Sequence, residues 1–200
     1  MPDTLTANPV VEAQGPTAEE SKDVITNPVQ QPHLIRHGQL VENDARLHEA
    51  EEGGPELPAD EPGWLVRLPV WLSAQAAAQS RQYPLGIWIS PDDDIASLPG
   101  AGQGRIEPQG IRLLAIDFPQ YTDGRGYSFA QILRTQYGWQ GELRAVGDVM
   151  IDTIHYQARC GFDSFLVKAG HDPQLALKAF QAFTVRYQRS YPAAVHIAGC

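Results

Sequence analysis

The chain has 200 residues, with 24 acidic against 15 basic side chains and a formal net charge of −9. Residues 1–62 hold 13 Asp and Glu against 3 Lys and Arg, while residues 63–200 hold 11 against 12. Without a basic excess a nucleic-acid surface is not expected, and without a long apolar run a membrane span is not expected either.

Two cysteines, Cys160 and Cys200, do not make a disulfide framework and suit a reducing cytoplasm. The N-terminus MPDTLTANPVVEAQG has neither a basic start nor an apolar core, so it does not read as a signal peptide.

Residues 1–32, rich in Pro, Thr, Glu and Gln, read as a disordered acidic tail. HLIRHGQLVE, residues 33–42, reads as a β-hairpin turning at His37-Gly38. Residues 43–63 carry acids and Pro55, Pro58 and Pro62, the pattern of a solvated loop. An α/β domain is expected over 64–187 and a frayed tail over 188–200. Within the domain, Trp64 to Leu68 is a strand candidate and VWLSAQAAAQSR, residues 70–81, a helix that buries Trp71 and Leu72. LGIWIS, residues 85–90, is the next strand. Asp92, Asp93 and Asp94 after it could cap a short helix through Leu98.

Leu113 to Phe118 is a continuous apolar run of the kind buried on both faces of a parallel sheet. A glycine-flexed loop follows, and Ser128 with Gln131 three residues on fits a capping box for the next helix, which Gly138 ends. Glu142 to Val146 is a strand and Asp148 a good N-cap for a helix closed by Cys160-Gly161. Ser164 to Val167 is a further strand, and Asp172-Pro173 opens a last helix reaching about Phe183. Strands joined by helical crossovers lie parallel. The fold class is therefore α/β: a single domain with a mainly parallel sheet of βα units. Open sheet and partial barrel predict the same pattern.

Ligands of parallel sheets bind beyond the carboxyl ends of the strands. That rule gathers Asp92, Asp93, Asp117, Asp123, Arg125, Tyr127, Asp148 and Lys168 at one rim. Arg125, beside a glycine loop and a helix start, makes a candidate anion seat. The candidate substrate- or anion-binding residues are Asp117, Asp123, Arg125, Tyr127, Ser128 and Asp148. The bland alternative is that Asp148 and Asp92 are caps and that Arg125 pairs with Asp117 or Asp123. Gly124-Arg125-Gly126 is no dinucleotide fingerprint, since Phe129 stands where a third glycine belongs. No motif marks a metal site, and Cys160 at a helix C-terminus reads as a packed thiol.

At AIDFPQYTDGRGYS, GELRAVGDV and ARCGFDSF the chain resembles a bacterial family known as domain of unknown function 934, from about His33 to about Tyr187. Among the matching motif positions are Asp117, Asp123, Arg125, Arg144, Asp148, Arg159, Cys160 and Asp163; Thr153 stands where the family usually has Gln. The family is described as an oxidoreductase associated with sulfite reduction, commonly encoded beside the haem sulfite or nitrite reductase. The resemblance thus implies an accessory protein or oxidoreductase of assimilatory sulfite or nitrite reduction, with that reductase as a partner. It assigns no catalytic residue, and the cofactor stays unknown. The alternative is a non-catalytic docking partner of the haem reductase, anchored by aromatics such as Trp139, Tyr121 and Tyr137. A third reading is an isomerase or lyase with Asp117 and Asp148 as acid and base.

Overall fold

The structure, a computed structural model, describes residues 30–49 and 56–180. Most of the acidic tail and all of the frayed end expected from sequence lie outside these residues. The described chain is a mixed α/β structure built on one sheet of eight strands. These are β1 (His33–Arg36), β2 (Gln39–Val41), β3 (Arg46–Leu47), β4 (Trp64–Arg67), β5 (Leu85–Ile89), β6 (Ile111–Phe118), β7 (Glu142–Gly147) and β8 (Ser164–Val167). The helices are α1 (Leu68–Ser73), α2 (Gln75–Gln79), α3 (Arg125–Thr135), α4 (Ile154–Cys160) and α5 (Pro173–Phe180), with two short 3-10 turns after β5. None of the described helices is long and apolar enough to cross a membrane.

The hairpin forms where expected. His37 at φ 50 and Gly38 at φ 73 give the paired left-handed residues of a tight turn. Its strands β1 and β2 are antiparallel, and β1 joins the sheet antiparallel to β8. The other pairings, β3 through β8, are parallel. Two elements differ from expectation. The helix expected over 70–81 is broken at Ala74 into α1 and α2. Part of the presumed solvated loop is β3, which pairs with β4 through Arg46↔Trp64 and Leu47↔Leu65.

The strand order is β2-β1-β8-β7-β6-β5-β4-β3. From β4 to β8 each strand lies beside its predecessor, so crossovers of the usual right hand place the helices on a single face. The apolar core divides accordingly. Ile87, Ile89, Leu114, Ile116, Phe118, Leu143, Ala145, Phe165 and Val167 belong to the large cluster that the helices share. Leu65, Leu113, Ala115 and Val146 form a second, smaller one on the opposite face, with Trp88 and Leu166 against it.

That second face is closed by curvature. β2 and β3 are the two edges of the sheet, yet only four residues separate Val41 from Arg46. Five Cα steps reach at most roughly 18 Å, whereas a flat eight-stranded sheet would hold its edges about 34 Å apart. The sheet must roll toward a barrel. Contacts across the interior agree. Arg144 on β7 donates to Asn43 Oδ1 at 3.2 Å, and Arg112 on β6 to Asp44 Oδ2 at 2.9 Å. Both strands lie opposite the β2/β3 seam. Gly86 on β5 faces this interior, where an added Cβ would lie 2.2 Å from Leu65 Cδ2. The sheet is thus a partial barrel with an apolar lining and a polar lower end.

Candidate functional site at the strand-end rim

The parallel strands end together, and the loops after β5, β6, β7 and β8 supply the rim. Arg125, the first residue of α3, bridges two of them. Its Nη1 donates to Asp92 Oδ1 at 2.5 Å and its Nη2 to Asp123 Oδ2 at 2.8 Å, while Nε reaches both Asp123 oxygens. Asp123 Oδ1 also accepts the Arg125 backbone N–H at 3.0 Å. The hydrogen bonds from Arg125 hold the Asp123 carboxyl below the usual range, and the two carboxylates raise the Arg125 guanidinium. Arg125 therefore sits at the rim as expected, with its forks already taken by carboxylates.

The next loop is tied by Asp148. Its Oδ1 accepts from Lys168 Nζ at 2.5 Å and its Oδ2 from the Tyr121 backbone N–H at 2.9 Å. The Lys168 hydrogen bond, then that from Tyr121, lower the Asp148 pKa. Asp148 is not the N-cap predicted for α4, which starts six residues later. Asp94 does cap, accepting the Ala96 N–H at 2.9 Å, and Asp93 accepts that of Ser90 at 2.7 Å.

Asp117 lies inside this ring of ion pairs. By strand alternation it shares the interior face with Leu113 and Ala115. Burial raises its carboxyl above the usual range; Trp88 and the charge of Arg67 temper the rise, and the charge of Asp123 adds to it. The Trp88 indole N–H is buried beside Asp117 and makes no well-formed hydrogen bond among the described residues. Gly147, at φ +88, admits no side chain, since a Cβ would lie 2.5 Å from Asp117 Oδ1 and equally close to the Phe118 carbonyl oxygen. Asp117 and Asp148 are thus pushed in opposite directions by their surroundings.

Two predicted residues leave the site. Tyr127 turns toward the helix layer, with its ring 5.3 Å from those of Phe118 and Tyr156; burial raises its hydroxyl. Ser128 is exposed on α3 and caps nothing, because the helix begins at Arg125, where Asp123 takes up the first N–H. Of the six candidates, the structure joins Asp123 to Arg125, sets Asp117 within electrostatic reach of Asp123, and places Asp148 in the neighbouring loop. Of the three proposed aromatic anchors, Trp139 is only 1 % exposed and donates its indole N–H to the Glu142 carbonyl at 3.2 Å. It is a core residue. Tyr137 is partly buried against the core, and Tyr121 stays 54 % exposed.

Sequence reasoning missed Arg67 and Trp88 at the mouth. Alternation would have found them once the inward face of β4 and β5 was known. It also gave no role to the two buried arginines at the other end. Arg134 donates to the carbonyls of Gly161, Trp139 and Gly141 and to Asp163 Oδ2. Arg144, 0 % exposed, is held by Glu142, Ser164 and Asn43. Burial works to raise the Glu142 pKa, but Arg144, Ser164 and Arg36 overcome it and leave the carboxyl below its usual range.

Among known families, one described as "Bacterial protein of unknown function (DUF934)" matches residues 86–196. The match begins inside β5, so the hairpin and β4, which the motif resemblance includes, lie before it. No curated protein and no solved structure matches the chain.

Proposed function

The chain belongs to that family of bacterial proteins of unknown function, and we propose that it is an accessory protein or oxidoreductase of assimilatory sulfite or nitrite reduction that holds a small anion at the strand-end rim. The sulfur chemistry rests on the motif resemblance. The rim rests on one observation: a half-buried carboxyl of raised pKa, Asp117, stands at the barrel mouth with the Arg67 and Arg125 guanidiniums on adjoining segments. In its protonated form such a carboxyl donates to an oxyanion instead of repelling it, and burial makes that form easier to reach.

The test is calorimetric titration of the full chain with sulfite and with nitrite. Saturable binding that weakens on replacing a rim arginine supports the reading. A chain that takes up neither anion sinks it.

A second reading is favoured by Tyr121. Its backbone N–H is fixed on Asp148 while its ring stays exposed. On this reading the rim docks the haem sulfite reductase and catalyses nothing. Tyr121→Ala would then abolish co-purification of the reductase and leave anion binding untouched. Retention of the reductase by Tyr121→Ala removes this second reading.

A further inference from the structure

We propose that the anion's seat is the inner face of the barrel mouth, formed by Arg67, Trp88 and Asp117 on three adjacent strands, and that it takes a small oxyanion or carboxylate held between Arg67 and Asp117. This rests on the anion reading above and narrows it to a place and a chemistry that the outer rim residues do not supply.

The placement comes from register. Arg67 on β4 pairs with Trp88 on β5, and Trp88 pairs with Ala115 on β6. Asp117 lies two residues beyond Ala115 on the same face. The three side chains therefore share one side of the mouth. Arg67 is also the least committed cation there. Among the described residues its ion-pair partner is Glu49 at 3.5 Å, where the two side chains are 46 % and 71 % exposed. Such a surface pair is weak and easily exchanged for a ligand. Arg125 holds two carboxylates and Lys168 is in close contact with a third.

Asp117 has the complementary property. One carboxyl oxygen is set against the Gly147 backbone. The charged groups facing it are Arg67 from β4 and Asp123 from its own following loop, the latter already bound by Arg125. From β5 it meets the uncharged Trp88. Nothing in this set pairs directly with the carboxylate, and burial shifts its pKa upward, so an anion seated beside it is best met by the protonated carboxyl. A monoanion placed between Arg67 and Asp117 would accept N–H from one and O–H from the other. Above the Asp117 pKa, binding must then draw one proton from solution.

The consequence is measurable with nitrite as the probe, since it is a monoanion throughout the neutral range. Calorimetry on the full chain, in two buffers of different ionisation enthalpy, should show proton uptake at the higher pH and tighter binding at the lower. Asp117→Asn keeps a donor and cannot titrate, so its affinity should be the same at both pH values. Arg67→Ala should lose about tenfold or more in affinity, and Arg125→Ala less than about twofold. Thermal melts confirm that each variant folds, and the proton count on the unaltered chain needs no variant. Nitrite bound without proton uptake and without pH dependence overturns the proposal. So does binding lost with Arg125→Ala and kept with Arg67→Ala, although anion binding at the rim then survives. No binding at either pH ends both.

Discussion

Arg134 shows how one side chain can organise an end of the molecule. It lies 5 % exposed between α3, the α4–β8 turn and the start of β7, and satisfies three carbonyls and a carboxylate at once. Asp163 Oδ2 also accepts the Leu143 N–H at 2.8 Å. Arg134→Ala strands that carboxylate and three carbonyls, and a loss of about 3–5 kcal/mol in unfolding free energy is expected. Lys does not restore it, because a point charge cannot match the planar fork. Urea melts check both; a loss below about 1 kcal/mol in Arg134→Ala would refute this role.

Two carboxyls give opposite pH signatures. Asp117 has its folded pKa raised, so the folded state holds the proton longer. Its contribution to stability is present at low pH and lost as pH rises through the folded value. Asp117→Asn should therefore raise the melting temperature at neutral pH and change it little below the unfolded pKa of 3.8. Glu142 has its folded pKa depressed. Its contribution is present above the unfolded value of 4.5 and lost as pH falls through the folded one. Glu142→Gln should flatten that acid limb. Melting temperature against pH for the two variants tests both signs; equal slopes in variant and parent remove the assignment.

Among the elements, the helix starts decide what reaches the rim. Ser128 and Gln131 match a capping box on paper. Asp123 competes for the same role, stands earlier in the chain and takes the Arg125 N–H, so α3 starts before the box. Asp148 is a cap candidate by residue type, but Tyr121 and Lys168 claim both its oxygens. The glycine after α4 was legible, because a helix end needs a left-handed residue and Gly161 has φ 112. Gly147 carries a stricter demand. Its φ of +88 and two contacts at 2.5 Å leave no room for a methyl group. Gly147→Ala should cost about 3 kcal/mol, from left-handed strain and overpacking together. It should also disturb Asp117, which chemical denaturation and the nitrite titration would each register. An unchanged midpoint in denaturant would show that the β7 end relaxes freely.

At the scale of the whole molecule, closure of the sheet creates the interior. The link from β2 to β3 is short, and its Asn43 and Asp44 reach Arg144 and Arg112 across the barrel. Replacing both with Ala should remove about 1 kcal/mol per hydrogen bond and speed amide exchange in β2 and β3 before β5 and β6 are affected. Uniform acceleration throughout the sheet would show that these contacts do not hold the seam.

Local rules carried much of the fold. Alternation and apolar runs place β4 to β8, turn residues place the hairpin, and βα alternation makes the sheet mainly parallel, because each of these depends on neighbours a few positions apart. Asp117, Asp123, Arg125 and Asp148 could be assigned to strand ends by the same means. What tertiary structure alone decided is which groups meet. Arg144 and Asn43 stand 101 positions apart; the partners of Arg125, the burial of Trp139 and the pairing of Arg67 with Trp88 all depend on how far the sheet curls. Curling is a property of the assembled strands and their short edge link, and no window of sequence contains it.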